Sequence, residues 1–546
     1  MSFFLNRMKR FLELILQTEK TEAMSFQSKR FWEIDDENNT NLQEDEKCQE
    51  LYKTTTTRDT DGRYMVQIPF KEELSLGNSR KQAVARLINL EKKMKKEIKS
   101  EYIEFMREYE RLGHMVKAEN ENEGLYYMPH QAVIREASST TKLRVVFDAS
   151  AKTTNGNSLN NIMMTGPRLQ KDIFDIIIKW RLWKFVVTAD VEKMYRQIKI
   201  AEEHQDYQLT YGTASAPFLA VRTLQQIAED YNGDILIKNT IKDDFYMDDL
   251  LTGADTKLDC RNKTNTIFKC LSSAGFKLRK WMSNNQSILK NLPIDAENKI
   301  LCIEEDNSIK TLGLKWNPKK DEFQFTINIL SNEKITKRMV LSIYAKMFDP
   351  LVEQIRIPRW MGVSSSDNWE LHGFSDASEA AYAAVIYIKI GLHINLLTAK
   401  SKVAPIKNKK TIPKLELCGA HLLAKLMSKI IKILNTNPKT YCWSDSAITL
   451  WWLKEPKNKE KFVRTRATEI KNLIPETEWR HIRSKDNPAD IAPRGICANK
   501  LKDYMLWWHG PAWLVKPKEE WPNDEKLNGM STVITTLISD NNFLSD

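Results

Sequence analysis

The sequence predicts an α+β multidomain protein, and three observations carry that reading. Its 546 residues correspond to roughly three to four domains, and 42% apolar residues suffice for real cores. Short β-branched and aromatic runs end in carboxylates at two separate places. One lies around Asp190 and Tyr246–Asp249, the other around Asp376 and Asp445. Between Asp376 and Asp445 stand apolar residues at helical spacing, Leu415, Cys418, Leu422 and Leu426.

Residues 1–56 form an N-terminal segment in which Glu33–Glu50 is acidic and polar, the composition of a loose linker. Residues 57–113 hold a strand-like stretch, Thr57–Phe70, and a long charged helix, Ser79–Gly113. Val84, Leu87, Leu90, Met94 and Ile98 make that helix's apolar stripe. Its Lys92 to Lys99 cluster is either a solvated face or a phosphate contact. Phe185–Ala189 reads as a buried strand ended by Asp190, after which Val191, Met194 and Ile198 share one side at helical spacing. Phe245–Leu251 is an apolar run broken by Asp248 and Asp249, which reads as a hairpin with the acids at its turn. Adjacent carboxylates repel each other unless a cation neutralises them, although Asp also suits a turn with no cation present. With Asp190 on a neighbouring strand, three carboxylates can hold two Mg2+ ions for in-line attack on a phosphate. Gly275, after Ile267, Leu271 and Ala274, fits a helix C-cap.

In the last third, Leu371–Ile388 reads as strand, tight turn, strand, with Asp376 leaving the first strand. Pro413 suits the first turn of a helix on which Glu416 lies off the buried stripe. Tyr441–Ser446 is a short strand ending in Asp445. Asn487-Pro-Ala-Asp490 reads as an N-cap, a first-turn Pro and an acid in the first turn. For Glu416 or Asp490 alone, helix N-terminus electrostatics is a sufficient reading.

Composition narrows the partners. The net charge of +11 favours a polyanion. Fifteen Trp and sixteen Tyr can stack on bases or fill cores. The seven Cys (Cys48, Cys260, Cys270, Cys302, Cys418, Cys442, Cys497) have no zinc-ligand spacing, and their odd number argues against a secreted disulfide framework. No apolar stretch approaches a membrane span. Phe3–Leu16 is interrupted by Arg and Lys, unlike a signal peptide, so no membrane partner is expected.

Asp190-Val-Glu-Lys-Met-Tyr195 and Tyr246-Met-Asp-Asp249 resemble the two catalytic motifs of reverse transcriptases. Arg144–Lys152, Asn157–Pro167 and Tyr211–Ala220 resemble the polymerase of BEL/Pao-type LTR retrotransposons, and the resemblance runs from about Phe31 to about Leu514. It implies right-hand polymerase fingers and palm over 114–345 and a truncated thumb and connection over 346–365. An RNase H-like mixed α/β domain over 366–500 follows, then a tail over 501–546 leading toward an integrase, with Trp507–Leu514 in its usual place before that enzyme. The implied activity is RNA-directed DNA polymerase with RNase H.

The resemblance also implies roles. Asp190, Asp248 and Asp249 would bind metal for polymerisation. Asp376, Glu416, Asp445 and Asp490 would do so for cleavage of RNA in RNA–DNA hybrids. Each site would take two Mg2+, with Mn2+ as a substitute. Tyr195 stands where these polymerases place a ring that excludes the 2′-hydroxyl, or else it is a core Tyr. Lys142 and Arg144 match residues that grip the incoming triphosphate, or else are solvated strand residues. Gly212–Pro217 matches a template and nucleotide contact. Gly275–Trp281 and Leu312–Trp316 match the closing palm elements and primer grip. His481 is a further candidate for moving protons. The implied partners are RNA template, DNA primer, RNA–DNA hybrid and dNTPs, with protease and integrase as other products of the polyprotein. The implied location is cytoplasmic virus-like particles and then the nucleus. No Asp-Ser-Gly or Asp-Thr-Gly protease signature is present.

The chain departs from the family pattern near 201–210 and at Leu351-Val352, where longer stretches are shortened, and at Pro493, where Ser is common. Two hypotheses follow. One is a working polymerase with RNase H. The other is an inactive relic or domesticated protein that binds nucleic acid through its basic surface.

Overall fold

The computed structural model describes residues 42–94, 96–115, 126–134, 143–205, 212–290, 292, 309–311, 314–324, 356–363, 369–405, 409–454, 460–496, 498–501 and 503–522. The architecture is mixed α/β and multidomain. Contacts divide it into two compact units. The first holds the described parts of Met1–Thr57, Met65–Arg168 and Lys199–Leu219; the second holds those of Arg58–Tyr64, Leu169–Ile198 and Ala220–Asp546.

Among the described residues, the first unit has a helix where a loose linker was expected. Leu42–Thr55 is helical, with Glu44 and Asp45 in its first turn and Cys48 and Tyr52 buried. Acids suit the positive end of a helix, and residues four apart share a face, so an acidic stretch need not be disordered. Residues 33–41 lie outside the described residues. The long charged helix is two helices, Arg80–Lys93 and Lys96–Arg111, because Met94 is extended (φ −79°, ψ 125°). The expected stripe is split accordingly. Leu90, Met94 and Ile98 pack with Tyr102, Leu143 and Val145, whereas Val84 and Leu87 are exposed. Strands His130–Ile134 and Leu143–Phe147 form an antiparallel hairpin. The motif around Asn160 meets the motif around Gly212: the Asn160 side chain donates to the Gly212 carbonyl and accepts from the Ala214 N–H, both at 2.9 Å.

In the second unit, the first sheet is built from β1 (Phe185–Val191), β2 (Phe245–Tyr246), β3 (Asp249–Ala254) and β4 (Leu278–Ser283), all antiparallel in the order β2-β3-β1-β4. Helix α1 (Ile173–Leu182) supplies Ile176 and Trp180 to a core with Val186, Leu251 and Met282. Between β3 and β4 runs helix α2 (Lys257–Ser272), after which Gly275 takes the expected left-handed conformation (φ 80°). A side chain there would strike Arg63, with a Cβ only 2.7 Å from its Cγ. A second small sheet, including 314–317, 322–324 and 356–358, carries Trp316 into the same core. Leu312 and Gly313 lie outside the described residues. Val191, Met194 and Ile198 are buried as their spacing predicts, but through a single 3-10 turn, Met194–Gln197, followed by a short strand.

The last sheet holds β5 (Trp369–Ala377), β6 (Ala381–Ile390), β7 (His393–Val403), β8 (Lys439–Ser444) and β9 (Glu478–His481), in the order β7-β6-β5-β8-β9. β6 is antiparallel to β5 and β7, and β8 is parallel to β5 and β9. Helix α3 (Ile412–Leu434) covers one face with Leu415, Cys418, Leu422 and Leu426 buried, as the stripe predicts. It lies close because Gly373 has no side chain: a Cβ there would come within 2.5 Å of Leu423. The opposite face, with Phe374, Tyr387 and Trp443, is covered by Leu514 and Trp521 from the stretch that the sequence left in a tail. No described helix is long and apolar enough to cross a membrane.

Candidate active sites

Two groups of carboxylates assemble, both in the second unit. In the first sheet, Asp190 on β1 stands directly opposite Asp249 on β3. The β2–β3 turn carries Asp248, whose carbonyl accepts from the Val191 N–H at 2.7 Å. The turn thus reaches back to the strand bearing Asp190. Met247 precedes it in the left-handed region (φ 54°), where a side chain is strained. Burial, then the neighbouring Asp248 and Asp190, push the Asp249 carboxyl up to about 7, against the pull of Lys280.

Cations that sequence reasoning missed face this group. A strand irregularity between Thr188 and Asp190 shifts the β1–β4 pairing. Lys280 there takes φ 54° and places Nζ 2.8 Å from Asp190 Oδ2. Arg279 lies 3.7 Å from the other oxygen of Asp190 and hydrogen-bonds Glu192 at 2.9 Å. Both cations sit in the Gly275–Trp281 motif, but only the bulge aims them at Asp190. Tyr195 is half-buried on the 3-10 turn, whose Arg196 and Gln197 carbonyls accept from Arg63 at 2.6 and 2.9 Å. Arg144 is exposed on the hairpin of the first unit, and Lys142 lies outside the described residues, as does the shortened junction at 351–352; of the one near 201–210, residues 201–205 are described, with a 3-10 turn at Glu202–His204, and 206–210 are not.

The second group gathers at one end of the last sheet. Asp376 is near the end of β5 and Asp445 immediately follows β8, with Ser375 and Ser444 paired between them. Glu416 comes from the start of α3. That helix approaches closely through Gly419, where a Cβ would lie 3.1 Å from the Asp376 carbonyl oxygen. Asp490 ends a 3-10 turn, Pro488–Asp490, capped as predicted: the Asn487 side chain accepts from Ala489 N–H at 3.1 Å. The buried Asn487 amide also donates to the Ser375 carbonyl at 3.1 Å and reaches Asp445 at 3.5 Å. Burial, then Asp445 and Asp490, push Asp376 up to about 7. Burial raises Glu416 and Asp490 as well, with Asp445 adding to both. His481 pairs with Ser444 on the next strand, beside this end of the sheet.

Among the described residues, no three His, Cys, Asp or Glu side chains are gathered closely enough to cage one ion. The chain's own cations account for part of this: Lys280 draws Asp190, and Arg494 draws Asp490 to 2.6 Å. The donors nonetheless suit Mg2+. They are oxygens only, and their mutual repulsion is what a divalent cation relieves. Asp376 Oδ2 is buried with no hydrogen-bond partner among the described residues.

Residues 351–446 match the family model of the Pao retrotransposon-like RNaseH-like domain. No curated protein matches the sequence. Among solved structures, foamy viral protease-reverse transcriptase in complex with double-stranded DNA aligns with a TM-score of 0.43 at 13% identity, over 81% of this chain and 79% of that one. The same viral protein in complex with an RNA/DNA hybrid aligns with a TM-score of 0.45 at 13% identity, over 81% of this chain and 61% of that one. The domain match supports an RNase H-like domain of the Pao retrotransposon kind within residues 351–446.

Proposed function

We propose that the chain is an RNA-directed DNA polymerase with RNase H, using the first carboxylate group for nucleotidyl transfer and the second for hydrolysis of RNA in RNA–DNA hybrids. The observation that supports this most is the register of Asp190 opposite Asp249, with Asp248 on the adjoining turn. Strand pairing sets Asp190 opposite Asp249 and the turn adds Asp248 beside them, so their repulsion has to be offset. Bound Mg2+ would supply that offset and stabilise charge on the reacting phosphate.

The chain's own residues do the rest. Asp190, Asp248 and Asp249 would hold the ions, and Tyr195 would line the sugar side of the nucleotide. Arg144, with Lys142, would grip the triphosphate, for which Arg geometry is suited. In the second group, Asp376, Glu416, Asp445 and Asp490 would hold the ions. Asn487 would keep Asp445 oriented by tying it to the Ser375 backbone.

The test is primer extension on an RNA template with Mg2+, beside cleavage of an RNA–DNA hybrid. The reading expects Asp248→Asn with Asp249→Asn to abolish extension and spare cleavage, and Asp445→Asn to do the reverse. A folded protein with neither activity would overturn it and leave a nucleic-acid-binding relic.

A further inference from the structure

Gln170 has no place in the motifs, yet its side chain sits against the turn that carries Asp248 and Asp249. Its Nε2 donates to the Phe245 carbonyl at 3.0 Å, and its Oε1 accepts from the Met247 N–H at 2.7 Å. Nε2 also reaches the Lys171 carbonyl at 3.2 Å. β2 is the edge strand of its sheet, so Phe245 C=O and Met247 N–H face away from β3. In a parallel ladder, one residue of a neighbouring strand would donate to the first of these groups and accept from the second. The Gln170 carboxamide does both, standing in for a missing strand with a single side chain.

The demand on that side chain is specific. It needs one donor and one acceptor on a common planar group, which restricts the choice to Gln and Asn. Glu keeps the acceptor, loses the donor and adds a negative charge beside two carboxylates. The residue being held is Met247, whose left-handed backbone persists only when its surroundings impose it. Gln170 is itself anchored. Two residues on, Asp172 caps α1 by accepting from the Phe174 N–H at 3.0 Å, and it pairs with Lys429 of α3.

We infer that Gln170 is a positioning residue for the polymerase reaction, holding the Met247 backbone so that Asp248 and Asp249 face Asp190. This rests on the polymerase reading above. It is tested with Gln170→Leu in the full chain, with and without Met247→Gly, which removes the left-handed strain. Three quantities are read: amide exchange at Met247 without metal or nucleic acid, kcat and KM for primer extension, and hybrid cleavage.

The expected result for Gln170→Leu is faster Met247 exchange and a kcat lower on the order of tenfold to a hundredfold, the scale of a small misplacement of reacting groups. The dNTP KM and hybrid cleavage stay unchanged, and Met247→Gly restores part of the lost kcat. The inference is overturned if extension stays within about twofold of the unaltered protein, well short of that scale. It is equally overturned if cleavage falls in step with extension, which marks general unfolding. An unaltered protein that cleaves hybrids but never extends a primer sinks the polymerase reading itself, and Gln170's role with it. That outcome differs from an active enzyme indifferent to Gln170.

Discussion

Lys280 holds the carboxylate of Asp190 at 2.8 Å, and it does so from a strand residue bent into the left-handed region at φ 54°. An extended Lys280 would follow the ordinary alternation of side chains along β4; the irregularity in pairing with β1 redirects it. The site thus contains a cation of its own, one that would compete with any ion brought to Asp190.

Lys280→Met is therefore expected to tighten binding of Mn2+ or Mg2+ to the first carboxylate group, read by calorimetric titration with Asp445→Asn in the background. The pair is partly exposed, with side-chain accessibilities of 40% and 21%. A change of roughly two- to fivefold is the scale of such a pair. Weaker binding would show that Lys280 orients Asp190 for the ion instead of opposing it.

The raised carboxyls make metal-free stability depend on pH in a direction opposite to the usual carboxylate pattern. Asp249 and Asp376 move from an ordinary 3.8 to about 7 in the folded protein, chiefly through burial. Between those values the unfolded chain has released protons that the folded chain keeps. Their contribution is complete below about pH 4 and is lost as pH rises through about 7. Burial lowers His372 and His130, which works the other way, so the unaltered protein alone does not isolate the effect. Thermal melts in EDTA from pH 4 to 8 should show Asp249→Asn and Asp376→Asn gaining on the unaltered protein as pH rises. Mg2+ should narrow the difference. Parallel curves for all three proteins would refute the assignment.

Arg359 offers a sharper test of packing. It is fully buried, pairs with both oxygens of Asp321 at 2.6 and 2.7 Å, and donates to the Trp180 and Trp183 carbonyls at 2.6 and 2.8 Å. These bonds fasten the end of α1 to the strand preceding the last sheet. Removing one partner leaves buried polar groups with nothing to bond, so Arg359→Met should cost about 3–5 kcal/mol in urea unfolding. Asp321→Asn retains part of the network and should cost less.

The contrast between these residues shows what local sequence carries. Strand Phe185–Val191, the hairpin at Tyr246–Asp249, the Asn487 cap and the stripe from Leu415 to Leu426 were all legible, because each follows from residues near one another in the chain. The elements that carry Asp376, Glu416 and Asp445 were legible for the same reason, two strand ends and a helix start, whereas Asp490 falls on a 3-10 turn. Gln170, Lys280 and Arg359 were not. Each acts across many tens of residues, on backbone groups or through a bulge, and neither leaves a periodic signal. Val84 and Leu87 mislead in the opposite sense, since the stripe they continue is interrupted where the backbone turns extended at Met94.

Trp521 tests whether the stretch after the last predicted acid belongs to the sheet beneath it. The residue is 3% exposed, meets Tyr441 edge-on at 4.9 Å and Trp443 at 5.8 Å, and donates from Nε1 to the Lys516 carbonyl at 2.9 Å. Upstream, the Trp507 carbonyl accepts from the Tyr387 hydroxyl at 2.6 Å. These contacts cover the sheet face opposite α3, where Phe374, Tyr387 and Trp443 would otherwise meet water. A buried Trp cut to Ala typically costs about 3–5 kcal/mol. Trp521→Ala is expected to lower urea stability by that amount and to weaken hybrid cleavage at raised temperature first. A chain ending at 522 should keep cleavage, whereas one ending at 501 should aggregate and lose it, because the exposed aromatic face invites association. Full cleavage from the shorter chain would mean that the sheet is stable with one face bare and that the tryptophans cover it without supporting it.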